Sequence, residues 1–244
     1  REDKYFNYLS KIAKKRKINV LSFGKSSKSN AKLVKNEVYE NYNHLHFRVL
    51  NKNIYLKIKN VNLLTISNIL FTLLALHVLD LDSTNIINFS NYFQSIEGRG
   101  KTHFISRYKK KFQLIDESYN ANPSSVKNAI NNFTNIKKKH KNKFLLLGDM
   151  LELGKNSDKY HKNLAHVINR SDIDKLFVYG KNAFKIYQKT YKSKQGNILQ
   201  NLNDFDEIFS DIINKGDYLM IKGSNATGLN RLSKSIILGH KYVV

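Results

Sequence analysis

Residues 115–125 read IDESYNANPSS, and they contain Pro123, the single proline of the chain. The apolar run KFQLI (111–115) leads into the stretch and has the length and boundaries of a short strand. Behind it, Val126, Ala129, Ile130 and Phe133 recur at helical spacing. Proline suits the first helical position, where its missing N–H is no loss and its fixed φ fits the helix. Asn122 before it is a good N-cap. The stretch therefore reads as a strand end, a tight polar loop and a helix start. In α/β proteins ligands are held at such junctions.

The same rhythm continues downstream. FQLIDES is followed by a helix expected over 123–136, then KFLLLGDM, a helix over 158–169, KLFVYG, helices over 182–191 and 204–214, DYLMIKGS, and a helix over 227–238. Strands alternating with helices predict a parallel sheet wrapped by helices, a Rossmann-like α/β domain. Three of these strands end in polar clusters, DESYNAN, GDMLELG and KGSN, and the carboxyl ends of neighbouring strands share one crevice. Asp116, Glu117, Asp149 and Glu152 would bring carboxylates there for magnesium, ribose hydroxyls or an ammonium group. Lys222 and the helix start behind it would meet an anion.

Upstream the pattern differs. Residues 3–16 read as a basic amphipathic helix and NVLSFG (19–24) as a strand. HLHFRVLNKNIYLKIK (44–59) alternates, with Leu45, Phe47 and Val49 on one face and Ile54, Leu56 and Ile58 after a turn at 51–53, an antiparallel hairpin. His44 and His46 share the opposite face without a third metal ligand nearby, so they are expected on an exposed strand surface. Helices are expected at about 65–79 and 84–94. The division between the two parts is placed in the glycine-flanked EGRGKTH, at 103/104.

Composition excludes several classes. No cysteine is present, which removes disulfides, thiolate metal sites and cysteine nucleophiles and is compatible with a reducing, cytoplasmic setting. Arg1 is not a start methionine and no charged-then-apolar signal segment follows it, so the chain is read as a piece of something longer. The net charge of +23 invites a nucleic-acid reading. Lysine and asparagine are spread through the chain, however, and the densest runs, KKRK (14–17) and KKKHKNK (137–143), each follow an expected helix, where cations suit the helix dipole. Aromatic residues are not interleaved with those runs, so no specific nucleic-acid partner is expected. LLTISNILFTLLALHVLDL (63–81) has nearly the length of a membrane span, but Ser67, Asn68, His77 and Asp80 interrupt it, and a buried helix is expected instead. FGKSS (23–27) has the tail of a nucleotide phosphate loop, but Asn19 stands where the pattern needs glycine and no apolar helix follows. Gly24 is read as a turn residue.

The motifs together resemble the Mur ligases of peptidoglycan synthesis. IDESYNANPSSVKNAI resembles the family's apolar strand, paired acids and Ser-Tyr-Asn-Ala-Asn-Pro. LLLGDMLELGKNSDKYH is similar to its Gly-Asp-Met-x-Glu-Leu-Gly with a following histidine, here His161. DYLMIKGSNATGLNRL resembles its late Lys-Gly-Ser-Arg strand and helix, and EGRG around Arg99 its Pro-Gly-Arg hinge. The first two motifs point to the branch that adds D-alanyl-D-alanine. The resemblance implies residues 1–103 as the end of a central ATP-binding domain and 104–244 as a C-terminal domain. It implies an ATP- and magnesium-dependent ligase, cytoplasmic and monomeric, that joins D-Ala-D-Ala to UDP-MurNAc-tripeptide through an acyl phosphate.

By motif position, Asn68 would face adenine and Arg99 the phosphates. Asp116, Glu117, Tyr119 and Asn120 would lie along the nucleotide, while Asn122, Asp149, Glu152, Lys222 and Ser224 would lie toward the second substrate. Departures stand at Leu64-Thr65 for the family's His-Asn, at Glu97 for the hinge proline, at Glu117 for aspartate and at Asn225 for the last arginine. The resemblance places the family's main catalytic residues, with its phosphate loop, magnesium ligands and UDP-sugar domain, upstream of Arg1. This chain alone is therefore expected to be inactive. A noncatalytic nucleotide-binding remnant and a basic nucleic-acid-binding module are the alternative readings.

Overall fold

Strand β7 (Lys143–Gly148) is buried along its whole length, as a strand covered on both faces must be. In the computed structural model, which describes residues 2–39, 42–59, 63–82, 97–137 and 141–240, it lies inside a six-stranded sheet. The other members of the sheet are β5 (Lys101–Arg107), β6 (Lys110–Glu117), β8 (Lys175–Tyr179), β9 (Gln195–Leu199) and β10 (Tyr218–Lys222). Their spatial order is β5-β6-β10-β7-β8-β9, and all pairs are parallel except the β5–β6 hairpin. The last strand in sequence thus sits between the two that flank the first crossover.

Alternation along the strands feeds two cores. Ile115, Leu145, Leu147, Leu176, Val178 and Met220 point to helices α3 (Pro123–Thr134), α4 (Ser157–Asn169) and α5 (Ala183–Tyr187). Leu114, Phe144, Leu146, Phe177, Leu219 and Ile221 point to α6 (Phe205–Ile212) and α7 (Leu229–Leu238). Phe209, fully buried, stands in edge-on contact with the rings of Phe112, Phe144 and Phe177 and stacks on Phe205.

The chain divides into two compact units, 1–95 and 96–244. The division expected at 103/104 falls inside β5, which pairs with β6 through all seven of its residues. No strand is expected there from sequence because KTHFISR mixes cations with apolar residues, as an edge strand can. Its tight turn carries Tyr108 and Lys109 in the left-handed region (φ 53° and 56°). The turn is held from outside. Arg107 pairs with Asp206 at 2.6 Å, and the Tyr108 hydroxyl donates to the same carboxylate. Burial and that hydrogen bond push the Tyr108 pKa well up. Edge strand β9 escapes sequence reading for a similar reason, QGNIL carrying little alternation.

Helix ends are shorter than expected as well. The expected 182–191 helix is only Ala183–Tyr187 before a short 3-10 turn at Lys192–Lys194. Lys143, the last residue of the basic run expected to follow a helix end, is fully buried. Its Nζ donates to the carbonyls of Thr134 and Ile136 at the end of α3 and to Asp172. The helix-terminus argument for that run holds at this lysine.

The first unit holds α1 (Phe6–Lys15), a four-stranded sheet and α2 (Leu63–Val78). The sheet runs β1 (Phe23–Gly24), β2 (Ala31–Val38), β3 (Tyr42–Val49), β4 (Lys52–Lys59). Leu45 pairs with Leu56 and Phe47 with Ile54, so the expected hairpin is present. Its turn is at Leu50–Asn51, one step earlier than expected, with Leu50 at φ 50°. Ile66, Ile69, Leu70, Leu73 and Leu74 of α2 pack on this hairpin while Ser67, Asn68 and Phe71 face outward. The apolar run is therefore an amphipathic core helix, and among the described residues no helix is long and apolar enough to cross a membrane. The strand expected at 19–24 shrinks to two residues, and the helix expected at 84–94 lies outside the described residues. Glycine is required at 24, where φ is 140° and the N–H groups of Lys25 and Ser26 close on the Glu2 carboxylate at 2.8 and 2.7 Å.

Replacing Phe209 by alanine is expected to cost about 3–5 kcal/mol, the range for emptying a fully buried aromatic site. Phe104→Ala, at a position 84% exposed, should stay within about 0.5 kcal/mol. Urea unfolding of the two variants checks both values.

Candidate functional site

The order β6-β10-β7 brings the three polar clusters together. Lys222 lies in register with Glu117 on one side and Leu147 on the other, so DESYN, KGSN and GDM emerge side by side at the carboxyl edge. The helices that follow β6 and β7 cover one face of the sheet and the helix that follows β10 covers the other, which makes this point the switch point of the sheet.

Ser224 ties the clusters to one another. Its Oγ accepts from the Leu151 N–H at 2.9 Å, its N–H donates to the Asp149 carbonyl at 3.0 Å, and its hydroxyl reaches the Ala121 carbonyl at 3.4 Å. Lys222, 2% exposed, donates to the Asn120 carbonyl at 2.9 Å and meets the Glu117 carboxylate at 3.3 Å. Burial pushes the Glu117 pKa up and the Lys222 pKa down, in each case against the attraction of its partner. A charged pair held this way is costly to keep, and it locks the loop after β6 in place.

Asp116 is buried and fully occupied by the loops around it. Oδ2 accepts from the Gly98 N–H at 3.0 Å, while Oδ1 accepts from the N–H and hydroxyl of Ser118 at 3.1 and 2.6 Å. The Tyr119 N–H donates to the Gly98 carbonyl, which draws the 97–100 turn against the end of β6. The exposed Arg99 guanidinium consequently lies over the Tyr119 ring, 4.6 Å from its centre. Beside them a cavity of about 220 Å³ is lined by Glu97, Gly98, Asp116, Ser118 and Tyr119 with Asn230 and Lys234 of α7.

A second, larger crevice of about 740 Å³ opens on the other side of the switch point, lined by Asp149, Leu151, Tyr179, Lys181, Phe184 and Gln200 among others. The Asp149 carboxylate caps α5, accepting from the N–H groups of Asn182 and Ala183 at 2.9 and 2.7 Å. Gly180 must be glycine here, since φ is 111° and a Cβ would fall 2.5 Å from that carboxylate. His161 is buried behind the same loop. Its Nε2 accepts from the Met150 N–H at 3.0 Å and its Nδ1 donates to the Ser157 carbonyl at 2.8 Å, which assigns the Nδ1–H tautomer.

Asn122 caps α3 in a reciprocal box with Ser125, and Pro123 follows at the first helical position as its sequence context requires. Asn120 turns its amide oxygen to the Ala121 N–H. Glu152 is exposed at φ 61°, and Asn225 accepts from Asn230. The structure thus gathers Arg99, Asp116, Glu117, Tyr119, Asn120, Asn122, Asp149, Glu152, Lys222 and Ser224 on the second unit's carboxyl edge, whereas Asn68 is an outward residue of α2 in the first unit. Lys181, Lys234 and Tyr179 are not among the residues that sequence reasoning singles out. Nothing local marks them, because they reach the two cavities only through the fold. Among the described residues no group of three His, Asp or Glu side chains converges as a metal site.

The family model described as Mur ligase, glutamate ligase domain, matches residues 102–225. The UDP-N-acetylmuramoyl-tripeptide–D-alanyl-D-alanine ligase of Rickettsia prowazekii is 27% identical over 228 residues, covering 93% of this chain and 49% of its own. The ligase of the same name from Bacillus subtilis is 32% identical over 127 residues, 51% of this chain and 28% of its own. Among solved structures, the MurF ligase of Thermotoga maritima in complex with ADP superposes with a TM-score of 0.76 at 20% identity, covering 96% of this chain and 52% of that one. MurF from Acinetobacter baumannii gives 0.77 at 17% identity, with coverages of 98% and 50%. The chain spans about half the length of the Rickettsia prowazekii ligase and of the two solved structures, and it shares the fold of those structures over 96% and 98% of its residues.

Glu117→Ala is expected to cost about 2 kcal/mol by stranding Lys222, less than the ~3–5 kcal/mol of a fully enclosed pair because Glu117 keeps some solvent contact. Asp149→Ala should cost about 1–2 kcal/mol by uncapping α5. Chemical denaturation of each variant measures the loss.

Proposed function

The chain belongs to the Mur ligase family, and from that membership we propose that it forms part of an ATP-dependent ligase joining D-Ala-D-Ala to UDP-MurNAc-tripeptide. The observation that carries this reading is the union of three motif-bearing loops at one switch point, with a cavity on either side of it. A carboxylate is a poor electrophile. Phosphorylation by ATP supplies a leaving group, and attack by the dipeptide amine then forms the amide as phosphate departs.

In this reading the smaller cavity serves the nucleotide. Arg99, preorganised on Tyr119, faces phosphate charge, while Glu117 and Asn120 lie along the nucleotide loop. Asn68 is assigned to adenine by its motif position alone. The 740 Å³ crevice serves the second substrate, with Asp149 in its lining, Glu152 and Ser224 on the adjoining loops and Lys222 at the end of β10. Asp116, Asn122 and His161 act as positioning residues, since their polar atoms hold backbone groups of those loops. Magnesium, when brought by ATP, neutralises phosphate charge. With no cage of His, Asp and Glu among the described residues, it is not assigned ligands on this chain. Residues 1–95 correspond in this reading to the end of the central ATP-binding domain and 96–244 to the C-terminal domain, in a cytoplasmic, monomeric enzyme.

The test uses the gene product that carries this chain at full length, supplied with ATP, magnesium, UDP-MurNAc-tripeptide and D-Ala-D-Ala. Equal amounts of released phosphate and UDP-MurNAc-pentapeptide, read by mass spectrometry, are expected. Turnover with a single amino acid in place of the dipeptide would instead assign a sister ligase. In the same assay Arg99→Ala is expected to raise the KM for ATP about tenfold, the loss of one charge-assisted phosphate contact. The 244-residue chain by itself is expected to give no ligation.

A further inference from the structure

The hairpin of the first unit buries one face against α2 and presents the other. Pairing places His46 opposite Tyr55, His44 opposite Lys57, Tyr42 opposite Lys59 and Arg48 opposite Asn53 on that outer face. The neighbouring strand adds Lys32 opposite Arg48 and Lys35 opposite His46. The residues between them, Leu45, Phe47, Ile54 and Leu56, are buried, so the alternation is complete.

Two features of this face are built rather than incidental. His46 and Tyr55 stack at 4.5 Å with planes 17° apart, and the His46 Nε2 is fixed by Asn53 at 3.0 Å. Further along, Tyr39 and Tyr42 stack at 4.7 Å and 19°, with the Lys57 ammonium 4.3 Å above the Tyr42 ring. Tyr55 remains 66% exposed despite its partner. Cations surround the rings at Lys32, Lys35, Arg48, Lys57 and Lys59, and among the described residues of this face the carboxylate is that of Glu37, which pairs with Lys35 at 2.6 Å.

We propose that this outer sheet face is a binding surface for single-stranded nucleic acid. Rings on the outer face of an antiparallel sheet accept the faces of unpaired bases, and cations at their margins pair with the phosphates between them. Successive outward residues on a strand are about 6.8 Å apart, comparable to the step between splayed bases. The ordered stacks lower the cost of fixing the rings when a base arrives. A membrane surface would use the cations but has no need of stacked, hydrogen-bonded rings. The charge runs of the sequence give no sign of the site, because its rings and cations come from three strands and meet only through pairing. Nothing in the ligase reading requires it.

The test is fluorescence anisotropy of the full-length gene product that carries this chain with a labelled thymidine strand of about twelve nucleotides, within the site sizes of single-strand-binding folds, at low salt. Two controls are an abasic strand of the same length and charge, and phosphatidylglycerol vesicles. The thymidine strand is expected to bind at least about tenfold more tightly than the abasic one, and His46→Ala with Tyr55→Ala to remove at least that factor. Both positions lie outside the core, and a circular dichroism melt of the double variant verifies its fold. Equal binding of the thymidine and abasic strands would overturn the proposal, leaving charge alone. So would unchanged affinity in the folded double variant, or vesicle binding as tight as that of the strand and indifferent to it.

Discussion

The second unit depends on where its last strand goes. Tyr218–Lys222 pairs in parallel with β6 and β7 at once, and Leu219, Met220 and Ile221 at its centre are buried on both faces. Without it those two strands would have no shared neighbour, and the loops after them would end on separate edges. The insertion therefore creates both the switch point and the site. It also places a lysine and a serine, Lys222 and Ser224, where they can hold the two flanking loops from within.

Polar groups near that edge divide by what they touch. Asp116, Asp149, Asn122 and His161 satisfy backbone N–H groups of tight turns, and their side chains have little left to offer a ligand. Arg99, Tyr119, Glu152 and Lys181 are exposed at or near the cavities. In the proposed ligase reading, a site for two substrates needs both kinds. Rigid turns fix the backbone so that the exposed groups meet reactants in a set geometry. The buried Lys222–Glu117 pair belongs to the first kind although it is charged. Each group is pushed toward neutrality by burial, and each is retained by the other.

The first unit follows different physics. Its hairpin has one apolar face, and among the described residues helix α2, with apolar residues at three- and four-residue spacing, covers it. That leaves the other face to solvent, where aromatic and basic residues line up by pairing. A two-sided arrangement of this sort lets one sheet contribute to the core on one side and to recognition on the other.

Much of this is legible in short stretches of the chain. The parallel rhythm after residue 111, the cap at Asn122, the helix start at Pro123 and the hairpin at 44–59 follow from local rules, because apolar period and turn chemistry act over a few residues. Edge strands β5 and β9 are not legible, since an edge needs only one covered face and tolerates mixed composition. The burial of Lys143 is hidden as well, because its partners are carbonyls and an aspartate brought near by the fold. Local sequence dictates most of the segments that become strands and helices, and the motifs that end them. The folded chain settles that β10 enters between β6 and β7, which acids hold turns and which face cavities, and which rings share the outer sheet face. Those outcomes depend on pairing between distant segments, and strand order is not encoded in any local period.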